Sequence, residues 1–179
     1  MAMWQFRLDF LPEREIRRKF GNLPRTLSKD VVEDYPWWSH VQPRAGFETQ
    51  IDEMIPQKSS WSESMRIWGN EDGDSVYVIY IDERKDKIEC IWCRIDVRSI
   101  SHSFVRGICT LAQQLECILV TAKHIVLKAD EASMLAAIND STAKKYLEDP
   151  VATLIEMKES GTTTDLLEQN KPATQRKPN

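Results

Sequence analysis

The sequence predicts an α+β fold: an antiparallel meander sheet of about four to six strands, one long helix packed on it, and a C-terminal cluster of short helices. Three observations carry that expectation. Residues 75–82 and 87–98 are β-branched and aromatic, and the charged segment Glu83–Asp86 joins them as a hairpin loop would. Phe104, Ile108, Leu111 and Leu115 fall at spacings of 4, 3 and 4, with Val105, Cys109 and Ala112 beside them, which marks a helix with a wide apolar stripe. Beyond Leu127, helix starts crowd together at Asp130, at Asp140 or Ser141, and at Asp149-Pro150.

Taken in order, Trp4, Phe6, Leu8 and Phe10 alternate with Gln5, Arg7 and Asp9, the period of a half-buried strand. Pro12 and Glu13 open a short helix to Phe20, with Ile16 and Phe20 as its apolar pair and Gly21 as its stop. Its Arg14, Arg17 and Arg18 read as a solvated face. Residues 21–60 are broken by Pro24, Pro36, Pro43 and Pro56, yet are too apolar for a linker. They read as an irregular wrap over the core, with a short helix near 47–55. Ser64–Trp68 is a strand, and residues 69–74 are turn material. After the meander, Ser101 or Ser103 caps the long helix, and 117–121 and 124–127 form one bent strand or two. Residues 1–158 read as a single domain and 159–179 as a disordered polar tail.

Composition removes several functional classes. The net charge of −4 argues against a nucleic-acid binder, which carries a basic patch or stripe. Residues 61–100 hold 6 basic and 9 acidic side chains, so a cationic partner is favoured over an anionic one. The longest apolar run, Cys117–Ala122, falls far short of the ~20 residues a membrane helix needs. Arg7 and Asp9 interrupt the start where a signal peptide would be apolar, so a cytoplasmic location is expected, with its four cysteines reduced.

The motifs that bear chemistry are few. Strand 87–98 places Cys90, Trp92, Arg94, Asp96 and Arg98 on one face, and strand one adds Arg7 and Asp9. If those strands are neighbours, their charges converge on one sheet face. They then form either a polar site, with arginines for a carboxylate or phosphate, or an ion-pair ladder. His102 follows at the helix start, and Asp96 is its conceivable orienting acid. Cys90 and Cys93 lie three apart on a strand and so point to opposite faces, which suits neither redox nor zinc chemistry. Asn70-Glu71-Asp72-Gly73-Asp74 has the head of a calcium loop, but Ile81 stands where the distal glutamate belongs, and a hairpin turn explains it better. No phosphate loop, nucleophile elbow or metal-ligand spacing occurs, and no cofactor is expected. Adjacent Trp37 and Trp38, in the loop Tyr35–His40, cannot easily both be buried, so either one is exposed or covers an edge, where it serves a binding surface, or both pack under the wrap.

One resemblance adds to this. The acidic turn with Gly73, the strand Arg94–Arg98, Leu111-Ala112, the strand Cys117–Val120, Ala137-Ile138-Asn139-Asp140-Ser141 and Tyr146-Leu147-Glu148-Asp149-Pro150 together resemble a pattern in small bacterial proteins of the toxin-immunity type. The resemblance spans residues 61–154, roughly half the chain, and includes no catalytic motif. It implies a cytoplasmic, non-enzymatic protein that binds one protein partner. The partner-binding residues expected are Trp37, Trp38, His40, Asp72, Asp74, Arg94, Asp96 and Arg98. The alternative is a small-ligand binder or enzyme using Arg94, Asp96, Arg98 and His102.

Overall fold

The computed structural model describes residues 2–70 and 73–159. Seven antiparallel strands form one sheet in the order β2-β3-β4-β5-β1-β6-β7. They are β1 (Gln5–Pro12), β2 (Gln57–Lys58), β3 (Met65–Gly69), β4 (Ser75–Tyr80), β5 (Ile88–Asp96), β6 (Cys117–Thr121) and β7 (Val126–Leu127). The helices are α1 (Glu13–Phe20), α2 (Lys29–Asp34), α3 (Glu48–Met54), α4 (His102–Gln114), α5 (Glu131–Asn139), α6 (Thr142–Glu148) and α7 (Pro150–Glu159). The expected α+β architecture is therefore present, and the sheet is wider than expected only by its two-residue edge strands, β2 and β7. Edges that short offer few unpaired backbone groups to another chain.

The first strand of the chain lies in the middle of the sheet. β1 pairs with β5 on one side and β6 on the other, both antiparallel. β5 and β6 are thus parallel to each other, and α4 makes the crossover that such a connection needs. Period two along β1 divides the sheet's faces. Phe6, Leu8 and Phe10 meet Ile95, Cys93 and Ile91 in the main core. Arg7 and Asp9 stand opposite Arg94 and Trp92 on the other face. A bulge at the start of β5 gives Glu89 no partner, because Ile79 pairs with Cys90 and Tyr80 with Ile88. The extra residue turns Ile88 into the core and leaves Glu89 in solvent.

Helix α4 begins as its sequence dictates: the Ser101 side chain accepts from the Phe104 amide. Its stripe of Phe104, Val105, Ile108, Leu111 and Ala112 is buried on the core side. Asp130 and Ser141 cap α5 and α6 in the same way, and the Asp149 side chain accepts from the Ala152 amide in the first turn of α7. In α1, Ile16 is buried, but Phe20 is not its apolar partner. Phe20 is 39% exposed, and the buried residue beside Ile16 is Glu15, which pairs with Arg18 at 2.8 Å.

The wrap 21–60 is more regular than its prolines imply, containing α2, α3 and β2. The short helix expected near 47–55 is α3. It docks because Ile51 is fully buried, Asp52 accepts from the Trp68 indole at 2.7 Å, and Glu48 pairs with Arg66. The wrap also overturns the expectation for the paired tryptophans. Trp37 and Trp38 are 3% and 2% exposed, so neither is available to a partner. They occupy the centre of a turn in which the Ser39 amide donates to the Pro36 carbonyl, so successive side chains need not alternate between inside and outside. The Trp37 indole donates to the Val31 carbonyl at 3.0 Å, and Gln42 clips the loop to β5 by bonding both backbone groups of Ile88. The expected tail lies outside the described residues except for Glu159.

Candidate functional site

The strands that carry the two charged motifs are indeed neighbours, and their face away from the main core holds an aromatic and guanidinium ladder. Tyr77 and Trp92 are cross-strand partners on β4 and β5, and their rings stack at 3.7 Å with 8° between planes. The Arg94 guanidinium lies 5.0 Å from the Tyr77 ring and 4.7 Å from Trp92, with a 3.3 Å hydrogen bond to the Tyr77 hydroxyl. Arg7, directly opposite Arg94 on β1, lies 4.8 Å from the Trp92 ring. At the other end Trp61 tilts against Tyr77 at 6.4 Å between centroids, and is 70% exposed. Met65 and Ile67 of β3 complete this second apolar cluster under the ladder. Each cation–π contact is worth about 0.5–1 kcal/mol where exposed and more where desolvated, so the order of the ladder is built in.

Carboxylates bracket the arginines. Arg7 pairs with Asp9 at 2.7 Å; burial opposes the charge on Arg7, and Asp9 more than offsets it, leaving its pKa raised. Arg98 grips Asp96 with two nitrogens and lies 4.6 Å from the Trp4 ring. Hydrogen bonds from the Arg98 side chain hold the Asp96 carboxyl below its ordinary value. Asp74 accepts from the Asp96 amide at 2.9 Å, and burial raises its carboxyl. The ion-pair reading of this face is therefore part of the answer, because Asp9 and Asp96 are committed to arginines.

The site residues named from sequence separate into groups. Arg94, Asp96, Arg98 and Asp74 belong to the sheet face. His40 is exposed in the wrap, away from the buried tryptophans beside it. Asp72 lies outside the described residues. His102 does not reach Asp96: it opens α4, and its Nδ1 lies 2.9 Å from Glu131 of α5. Nor do Arg94, Asp96, Arg98 and His102 line the cavity of about 510 Å³ that lies at the start of β1. The polar catalytic or ligand site imagined from those four residues is not assembled, because His102 starts a helix packed on the opposite face. Trp61 is the residue the sequence reading passed over. Its signal was there to use: a lone tryptophan among Ser59, Ser60 and Ser62, where no apolar period explains it.

The cysteines are free thiols. Burial pushes Cys90 up to about 12 and Cys109 up to about 11, and raises Cys93 and Cys117 as well. They are protonated at neutral pH and poor nucleophiles. Among the described residues, no group of three or more His, Cys, Asp or Glu could hold a metal ion, and no helix is long and apolar enough to cross a membrane. No protein-family model, curated protein or solved structure matches this chain.

Proposed function

We propose that this protein is a non-catalytic protein-binding module of the immunity type, acting in the cytoplasm, which neutralises a toxin by docking it on the sheet face away from the main core. One observation carries the reading: Trp61, 70% exposed, ends a preordered ladder of tryptophan, tyrosine and arginine. Tryptophan, tyrosine and arginine dominate binding hot spots. Here Trp61 is the side chain a partner can reach, while Tyr77 and Trp92 are buried and back it. The ladder is rigid before the partner arrives, so little ordering entropy is lost on binding. Glu63 beside Trp61 and Glu89 on the β5 bulge are exposed, while Lys58, Arg66 and Lys85 line the same hollow as Trp61. The acidic balance of residues 61–100, with 9 acidic against 6 basic side chains, suits a basic toxin domain.

The test is co-purification with the product of the adjacent gene, using the native chain and Trp61→Ala. A basic partner should be captured by the native chain and lost with the variant. If the neighbouring product is not captured, the immunity reading is wrong. If it is captured equally by Trp61→Ala, the sheet face is not the docking surface.

A further inference from the structure

We infer that the cavity at the start of β1 binds a small amphipathic carboxylate, a function separate from the sheet face. The cavity, about 510 Å³, opens between Phe6 and Arg7 of β1, the β6–β7 turn, and helices α5 and α6. Small-molecule sites span roughly 300–1,000 Å³. The space has a sequence cause: Ala136, Ala137 and Ala143 stand on the helical wall, where larger aliphatic side chains would fill it. Phe6, Leu127 and Met157 supply further apolar lining. An apolar body is what such walls accept.

The head group follows from charge. Arg7, Lys29 and Lys123 line the cavity against one carboxylate, Asp140, in a chain whose net charge is −4. This local reversal of sign calls for an anion, and Asp140 among the cations makes a singly charged head preferable to a doubly charged one. The Arg7 guanidinium is already paired with Asp9, so Lys123, in the exposed β6–β7 turn, is the cation that the head group meets. His124, at φ +59°, is among the residues of that turn that line the cavity.

Decanoate is the probe, titrated into the full chain and followed by calorimetry and amide chemical shifts. Decanol supplies the same body without charge, and decyltrimethylammonium the opposite charge. Saturable decanoate binding should shift the amides of 121–125 and 136–143, with decanol several-fold weaker and the cation weakest. Lys123→Glu should weaken decanoate by at least about two- to fivefold, the span of a partly exposed charge pair, and leave decanol unchanged. Ala137→Trp should block both by filling the space. Equal binding of decanoate and decanol, indifference to Lys123→Glu, or no saturable binding would overturn the assignment. So would shifts confined to Val151, Leu154 and Ile155, the exposed apolar stripe of α7, since they would mark surfactant adsorption.

Discussion

Two glycines share a backbone conformation but not a neighbourhood, and this isolates the close approach that shapes the β3–β4 turn. Gly21 ends α1 with φ +77°, and a Cβ there would meet nothing within 4 Å. Gly69 ends β3 with φ +86°, but its Cβ would lie 2.5 Å from Ile55 Cδ1 and closer still to the Asp74 carbonyl oxygen. That carbonyl is backbone and accepts from the Asn70 amide at 3.2 Å, so it cannot rotate away without losing the bond. Alanine at positive φ costs about 1–2 kcal/mol, and the stiffer unfolded chain returns about 0.4–1 kcal/mol. Gly21→Ala should therefore lose about 1 kcal/mol. Gly69→Ala should add an overpacking penalty of about 1–3 kcal/mol, for a total of about 2–4 kcal/mol. Urea midpoints at unchanged slope measure both. Equal losses in the two variants would mean that the Gly69–Asp74 approach is not a constraint on the fold.

Trp37→Ala should cost about 3–5 kcal/mol as a buried-aromatic truncation, whereas Trp61→Ala should stay within about 0.5 kcal/mol; paired thermal melts check this. Asp74→Asn should be more stable than the native chain at pH 7. Burial raises the Asp74 carboxyl, so its ionised form opposes folding there, and the advantage should shrink as pH falls and the native carboxyl protonates. Urea midpoints at pH 7 and pH 3 test the sign. Cys90 contributes the opposite limb. Its thiol is raised to about 12, so stability is present below the free thiol's pKa and is lost as pH rises toward the folded value. Alkaline unfolding should weaken in Cys90→Ser, read as a smaller fall in midpoint between pH 8 and pH 10.5.

Legibility in the sequence followed how local each signal was. β1, α1 and α4 announce themselves through period, cap and stop residues, all within a few positions of each other. Gly21 stops α1 in a left-handed conformation, and Ser101, Asp130 and Ser141 cap the helices assigned to them. The wrap was harder to read because its order comes from distant partners. Gln42 reaches Ile88, Asp52 reaches Trp68 and Arg66 reaches Glu48, and no window of sequence contains both ends of such a contact. Helix α2 buries none of its own residues, so it has no apolar stripe to find. Strand order was equally hidden, since β1 enters between β5 and β6 only once the crossover helix is in place.

The candidate site divided along the same line. Alternation on β5 put Trp92, Arg94 and Asp96 on one face, and pairing with β1 brought Arg7 and Asp9 to them. Proximity along the chain misled in the case of His102. It lies six positions from Asp96, yet the intervening residues turn the chain from sheet to helix layer, so its partner is Glu131. Net charge is a different kind of signal, because a sum over the chain carries no geometry. The acidic balance of residues 61–100 favours a cationic partner, while the fold gathers Arg7, Lys29 and Lys123, far apart in sequence, around one apolar cavity. An acidic protein can therefore still gather cations around one cavity. The cavity and the sheet face meet only at Arg7, whose bond to Asp9 ties its guanidinium to the sheet while it lines the cavity. A charge reversal at Lys123 should for that reason change anion binding and leave the aromatic ladder intact.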